Sequence, residues 1–276
     1  MAADGPLPIS QSEAKVNRIS VVIPALNEEK YLPRLLQSLA EQTCRDFDVA
    51  VVDGSSRDRT VEVAQSFGGK VPGLNVIVSP KASVPLQRNL GARASRGDWL
   101  VFLDSDTQVQ PYFIERIRAF IQTAQPKHFT SWFRPDSDGA SDAVFTLIAN
   151  MFIEGSIVVG RPMAPGPLTA VRRDVFELVN GYDESKTFGE DYDLTERLAA
   201  RGVQLSMLRE TLYVLSLRRV RKDGKLRTVG FYGYAGLKVL VTRRNLVNVP
   251  SYVMGGHVYE EHPAVKKRRI IRRTTA

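Results

Sequence analysis

Four short apolar runs alternate with segments whose apolar residues recur at helical spacing. Residues 19–24, Val49–Asp53, Val76–Ser79 and Trp99–Leu103 read as strands. The last is apolar throughout, as expected of a strand covered on both faces. Between them, Glu28–Gln42 carries Tyr31, Leu32, Leu35, Leu36 and Leu39 on one helical face. Arg57–Phe67, closed by Gly68-Gly69, and Leu86–Ala94, ended near Gly97, read as the next helices. Pro111–Thr123 follows with proline in its first turn, a favoured place. Strands alternating with helices predict an α/β chain, its mostly parallel central sheet flanked by helices through right-handed crossovers. Beyond residue 126 the alternation fades. Residues 155–168 are rich in Gly and Pro and predict a loop, and Leu194–Arg201 predicts a helix. No internal repeat is visible.

Two longer apolar stretches raise the question of a membrane. Ala143–Ile153 is broken by Thr146 and Asn150 and stopped by Glu154. Val229–Leu246 is interrupted by glycines and by Lys238, Arg243 and Arg244. Both fall short of the roughly twenty apolar residues that span a bilayer and read as packing helices. The second leads towards Lys266–Arg273, with six cations in eight positions. An interfacial helix followed by a polybasic tail suits an anionic membrane surface; a solvated tail is the competing reading. Charge follows the same division. Residues 1–200 carry a net −5 and residues 201–276 a net +13, giving the overall +8. The basic character therefore belongs to the last quarter. A single cysteine, Cys44, excludes an internal disulfide and fits a reducing compartment. The first seventeen residues read as a flexible leader without a secretory signal.

Acidic residues end the strands. Asp104 and Asp106 follow Trp99–Leu103, two positions apart. In an open α/β sheet ligands gather at the carboxyl ends of the strands, and carboxylates at i and i+2 of an extended strand share a face. Such a pair suits Mg²⁺ or Mn²⁺; alternatively Asp106 caps the helix that follows. Asp53-Gly54 reads either as a ligand-facing carboxylate or as a strand-ending turn. Arg88 reads as an anion-binding cation or as a surface helix charge. Gly189-Glu190-Asp191 places two carboxylates before a helix, and Asp193-Leu-Thr-Glu196 has the form of a capping box.

Five segments, in order and spacing, carry a resemblance: Val21-Val-Ile-Pro-Ala-Leu-Asn-Glu28, Val52-Asp-Gly-Ser-Ser-Arg-Asp-Arg-Thr60, Gln87-Arg-Asn-Leu-Gly91, Phe102-Leu-Asp-Ser-Asp106 and Phe188-Gly-Glu-Asp-Tyr-Asp-Leu194. Over roughly residues 18–205 the chain resembles family 2 glycosyltransferases of the GT-A fold, a Rossmann-like sheet. The resemblance implies a GT-A domain over 18–215, with a nucleotide-binding part (18–125) and an acceptor-binding part (126–215). A helical, basic C-terminal extension (216–276) would follow. It implies that Pro24, Asn27, Glu28, Asp53, Arg88 and Asp104 meet the nucleotide, with Asp53 on the base. Asp106, with Asp104, would hold Mg²⁺ or Mn²⁺. Asp191, with Glu190 as neighbour or substitute, would deprotonate the acceptor, giving inversion. The implied partners are a nucleotide-sugar donor, UDP favoured over GDP, and a carbohydrate or lipid-linked acceptor. No nucleic acid is expected. The expected location is cytoplasmic, and the inner face of the membrane is the site that the basic tail would suit.

The chain also departs from the family pattern. Many members carry a further metal-binding histidine shortly after the base helix, and here Ser216 lies in that vicinity. No Gln-x-x-Arg-Trp follows the base, which argues against a processive synthase. The basic run from Ser216 through Arg227 reads either as a phosphate-binding segment or as solvated charge. A sugar-phosphate nucleotidyltransferase lacks support from a glycine-rich loop at Pro24–Glu28. A non-catalytic membrane-recruiting relative is disfavoured by the retained Asp53, Asp104, Asp106 and Asp191.

Overall fold

The computed structural model describes residues 18–224. The leader, the stretch Val229–Leu246 and the polybasic Lys266–Arg273 lie outside the described residues. Strands β1 (Ile19–Ala25), β2 (Phe47–Asp53), β3 (Leu74–Val78) and β4 (Trp99–Leu103) run parallel in the order β3-β2-β1-β4. Helices α1 (Leu32–Ala40), α2 (Thr60–Gln65) and α3 (Val84–Ala94) make the crossovers. This first half matches the expected α/β alternation. β1, β2 and β4 lack polar alternation because both their faces are covered, whereas β3 at the sheet edge is partly exposed. Val21 and Ile23 of β1 pack with α1 residues Leu32, Leu35 and Leu36, while Val22 joins Leu100, Phe102 and Phe176 on the opposite side.

The region after residue 126 is as regular as the first, but its strands change direction. Beyond β4 the sheet continues β7-β6-β8-β5, eight strands in all. It uses β5 (Gln108–Val109), β6 (His128–Pro135), β7 (Leu168–Arg172) and β8 (Leu205–Leu215). β7 runs antiparallel to β4, with Leu168 opposite Leu103. The residues just before β7 therefore lie at the carboxyl edge of β4. One sheet thus runs through both the expected nucleotide-binding and acceptor-binding parts.

Expected boundaries shift for local reasons. α1 starts at Leu32 with Pro33 in its first turn rather than at Glu28. α4 (Phe113–Ala124) begins after Tyr112. α5 (Ala140–Val158) runs past Gly155, so the Gly/Pro loop is confined to residues 159–167. α7 (Glu190–Ala199) begins four residues before the expected Leu194, entered through Gly189 at φ 73°. Helices α6 (Arg173–Leu178) and α8 (Arg218–Asp223) complete the described chain.

α5 is inverted relative to an ordinary surface helix. Asp142, Thr146, Asn150, Ile153 and Ser156 face inward, where the Asn150 amide donates to the Phe133 carbonyl (2.9 Å). Val144, Leu147, Ile148, Met151, Phe152 and Val158 face outward, exposed by 42 to 80%. Among the described residues α5 is the one helix long and apolar enough to cross a membrane. Its polar stripe is already packed on β6 and β8. It therefore departs from the expected buried packing helix.

Candidate active site

Position in the site begins with a glycine. A Cβ on Gly91 would lie 2.3 Å from Val22 Cγ1, so only glycine lets α3 approach β1 so closely. That approach sets the preceding turn of α3, Gln87-Arg88-Asn89, against the carboxyl edge of the sheet. Gln87 Nε2 donates to the carbonyls of Ala25 (2.9 Å) and Val52 (2.7 Å), satisfying the ends of β1 and β2. Asn89 Nδ2 donates to the Tyr182 carbonyl (2.9 Å) and its Oδ1 accepts from Tyr182 N–H (2.9 Å). Between them Arg88 is 1% exposed, which removes the surface-charge reading.

Arg88 gathers the expected acids. Nη1 donates to Asp191 Oδ1 (2.7 Å) and Glu190 Oε1 (3.2 Å), and Nη2 to Asp104 Oδ1 (3.0 Å) and the Gly166 carbonyl (3.0 Å). Its guanidinium lies over the Tyr182 ring, 5.1 Å from the centroid. Tyr182 Oη donates to Asp191 Oδ1 (3.1 Å). Oδ1 of Asp191 is thus committed, while Oδ2 faces Gly166, where an added Cβ would lie only 2.9 Å away. Burial pushes the Asp191 carboxyl up to about 8; Arg88 opposes the rise, and the neighbouring Glu190 and Asp104 add to it. The largest cause is the loss of water around Asp191, and one guanidinium shared among three carboxylates does not offset it.

The loops after β1 and β2 are stitched together. Asn27, at φ 52°, accepts from Arg57 N–H (2.7 Å) through Oδ1, and its own N–H donates to Ser56 Oγ (2.8 Å). Asp53 accepts from Ser56 N–H (2.9 Å) and from the Ser56 hydroxyl, and is 1% exposed. Both its oxygens serve the turn, the alternative that Asp53-Gly54 offered. Pro24 is buried in β1 opposite Val52, two residues past the last pairing of β1 with β4. Glu28 N–H donates to Thr60 Oγ1 (2.8 Å).

Asp106 does not cap a helix: β5 intervenes and α4 starts only at Phe113. Its Oδ2 meets Arg218 Nε at 2.9 Å, and Arg218 also forks onto Glu28 (2.9 and 2.6 Å). Burial raises the Glu28 carboxyl to about 7 against the pull of Arg218, and raises Asp106 likewise. Asp193 has a structural role, but not the expected capping box. With α7 starting at Glu190 it lies within the first turn and accepts from Arg197 Nε (2.8 Å). Nothing in the local spacing of the sequence singles out Tyr182, Gly166 or, within its basic run, Arg218. The order Gln87-Arg-Asn was the visible trace of the α3 contacts, and Arg218 lay within a basic run.

Carboxylates are the oxygen donors that Mg²⁺ or Mn²⁺ takes, yet this arrangement does not fit a bound divalent cation. Asp104 is paired with Arg88, and Asp106 and Glu28 with Arg218. Among the described residues no three His, Cys, Asp or Glu side chains converge as a metal site.

Glycosyl transferase family 2 matches residues 20–178 of this chain. The chain belongs to that family. It is similar to an uncharacterized glycosyltransferase of Haemophilus influenzae, 29% identical over 185 residues, covering 65% of this chain and 61% of that protein. It is also similar to the 4,4'-diaponeurosporenoate glycosyltransferase of Staphylococcus haemolyticus, 32% identical over 182 residues, covering 59% of this chain and 46% of that protein. The chain thus spans less than two thirds of either family member. Its fold is that of the mannosyltransferase PcManGT of Pyrobaculum calidifontis, solved with GDP-Man and Mn²⁺. The TM-score is 0.61 at 17% identity, over 79% of this chain and 64% of that one. The expected GT-A architecture is therefore present.

Proposed function

We propose that this chain is an inverting glycosyltransferase that moves a sugar from a nucleoside diphosphate sugar onto an acceptor hydroxyl, with Asp191 as general base. The observation that carries it is the convergence of Asp104, Glu190 and Asp191 on buried Arg88 at the carboxyl edge of the sheet. Arg88 and Tyr182 fix Asp191 through Oδ1, which leaves Oδ2 to take the acceptor proton. The acceptor oxygen bonds to the anomeric carbon as the bond from that carbon to the phosphate oxygen breaks. The electron pair departs with the nucleoside diphosphate, and the proton ends on Asp191. A carboxyl raised towards neutral pH suits this role, because general bases work best with a pKa near the operating pH. Glu190 is the neighbour that helps keep Asp191 basic. Pro24, Asn27 and Glu28 form the loop edge that faces the donor.

The acceptor is held at a membrane surface. The outward apolar face of α5 and the net +13 of residues 201–276 support this reading. α5 also runs directly into the 159–167 loop that brings Gly166 to the base, so a lipid-borne hydroxyl would arrive beside Asp191. UDP and GDP both remain candidate carriers, since Asp53 is engaged in its own turn.

The test is Asp191→Asn. Transfer from UDP- or GDP-sugar should fall at least a hundredfold, the scale of general-base catalysis. Binding of the free nucleoside diphosphate by calorimetry should persist. Unchanged turnover would remove Asp191 from the chemistry.

A further inference from the structure

Arg218 is the first residue of α8 and belongs to the basic run from Ser216 through Arg227, whose composition suits either phosphate binding or solvated charge. In the fold its side chain is 11% exposed and set between two acids. Nη1 and Nη2 donate to Glu28 Oε2 (2.9 Å) and Oε1 (2.6 Å), and Nε pairs with Asp106 Oδ2 (2.9 Å). The guanidinium lies over the Tyr31 ring, 4.2 Å from the centroid. A planar fork matches a carboxylate on one edge and an aromatic ring on its face, which a lysine cannot do together. The Nε edge of a guanidinium therefore stands on the oxygen expected to ligate a divalent cation. A metal on Asp106 Oδ2 would have to share that oxygen with a fixed guanidinium and bear its repulsion.

We propose that Arg218 takes the place of the divalent cation: held by Glu28 and Asp106 and stacked on Tyr31, it supplies the positive charge that receives the donor diphosphate, so that donor binding and sugar transfer proceed without metal. This rests on the glycosyltransferase reading above. When the bond between the anomeric carbon and the phosphate oxygen breaks, the electron pair stays on the β-phosphate. Charge-assisted contact with a guanidinium stabilises that developing charge. The acceptor proton goes to Asp191, and no further reactant is needed. Glu28 and Asp106 are positioning residues for the arginine.

The experiment measures UDP and GDP binding to the full chain by calorimetry, in EDTA and in Mn²⁺, for the wild type, Arg218→Gln and Arg218→Lys. Mn²⁺ alone is titrated against each protein by electron paramagnetic resonance. The expected result is that the nucleotide that binds does so equally well in EDTA. Arg218→Gln should weaken that binding at least tenfold, and Arg218→Lys by less. Mn²⁺ alone should leave the wild type unbound. Nucleotide binding to the wild type only when Mn²⁺ is present would overturn the inference and leave the glycosyltransferase reading standing. Absence of UDP and GDP binding under both conditions would instead overturn the donor reading itself. The chelator arm on the wild type decides between these outcomes even if Arg218→Gln fails to fold.

Discussion

At the scale of single residues, the site is governed by burial of Asp191 and by how few cations neutralise the acids around it. Burial holds the proton on Asp191 far above the usual carboxylate range; Arg88 opposes this, but it is shared with Glu190 and Asp104, which push the same way as burial. Only the ionised carboxylate can accept the acceptor proton. The logarithm of kcat/KM should therefore rise by about one per pH unit on the acid side and level off near pH 8, the value to which burial pushes Asp191. A profile already flat at pH 5 would show that an ordinary carboxylate acts instead. Gly166 is the second residue-scale control. Its missing side chain leaves space 2.9 Å from Asp191 Oδ2. Gly166→Ala should displace that oxygen and lower kcat by tenfold or more, on the scale at which small misplacements act. The melting temperature should change little. The sequence could name Asp191, but not Gly166, because its effect depends on a loop folding back from outside the motif.

At the scale of elements, the strands and the first helices were legible because their apolar spacing is local. Trp99–Leu103 was read with the same boundaries that β4 has. The second half was not legible, because β6, β7 and β8 pair with partners distant in sequence and in mixed directions. His128 shows what such pairing can hide. It is fully buried in β6, neither ring nitrogen has a hydrogen-bond partner, and burial lowers its pKa from 6.5 to about 3. The folded chain therefore binds the proton more weakly than the unfolded chain does. The stability that follows is fully present above pH 6.5 and is lost as pH falls towards 3. Between pH 7 and pH 5 this residue should remove about 2 kcal/mol of unfolding free energy. His128→Leu should abolish that part of the slope in urea melts. Equal slopes in the two proteins would refute it.

At the scale of the whole molecule, charge and apolar surface act together. The outward face of α5 is apolar while its inward face is polar, the reverse of a helix made only to cover a core. The strongly basic final quarter adds attraction to an anionic surface. Full-length protein should sediment with vesicles containing phosphatidylserine or phosphatidylglycerol. The double change Leu147→Glu and Ile148→Glu should reduce the bound fraction several-fold without lowering the melting temperature, since both side chains are more than half exposed. Removing residues 264–276 should weaken binding further and make the remainder less sensitive to salt. Equal sedimentation of all three proteins would leave the apolar face without a membrane role.

The sequence by itself determined the α/β alternation, the acids at the strand ends and the pair Glu190-Asp191. Each of these depends on spacing within a few residues. Tertiary structure alone decided which cation meets which acid. Arg88 lies 103 positions from Asp191, and Arg218 lies 190 from Glu28. Coulomb attraction and desolvation act on distance in space, and only the folded sheet makes those distances short.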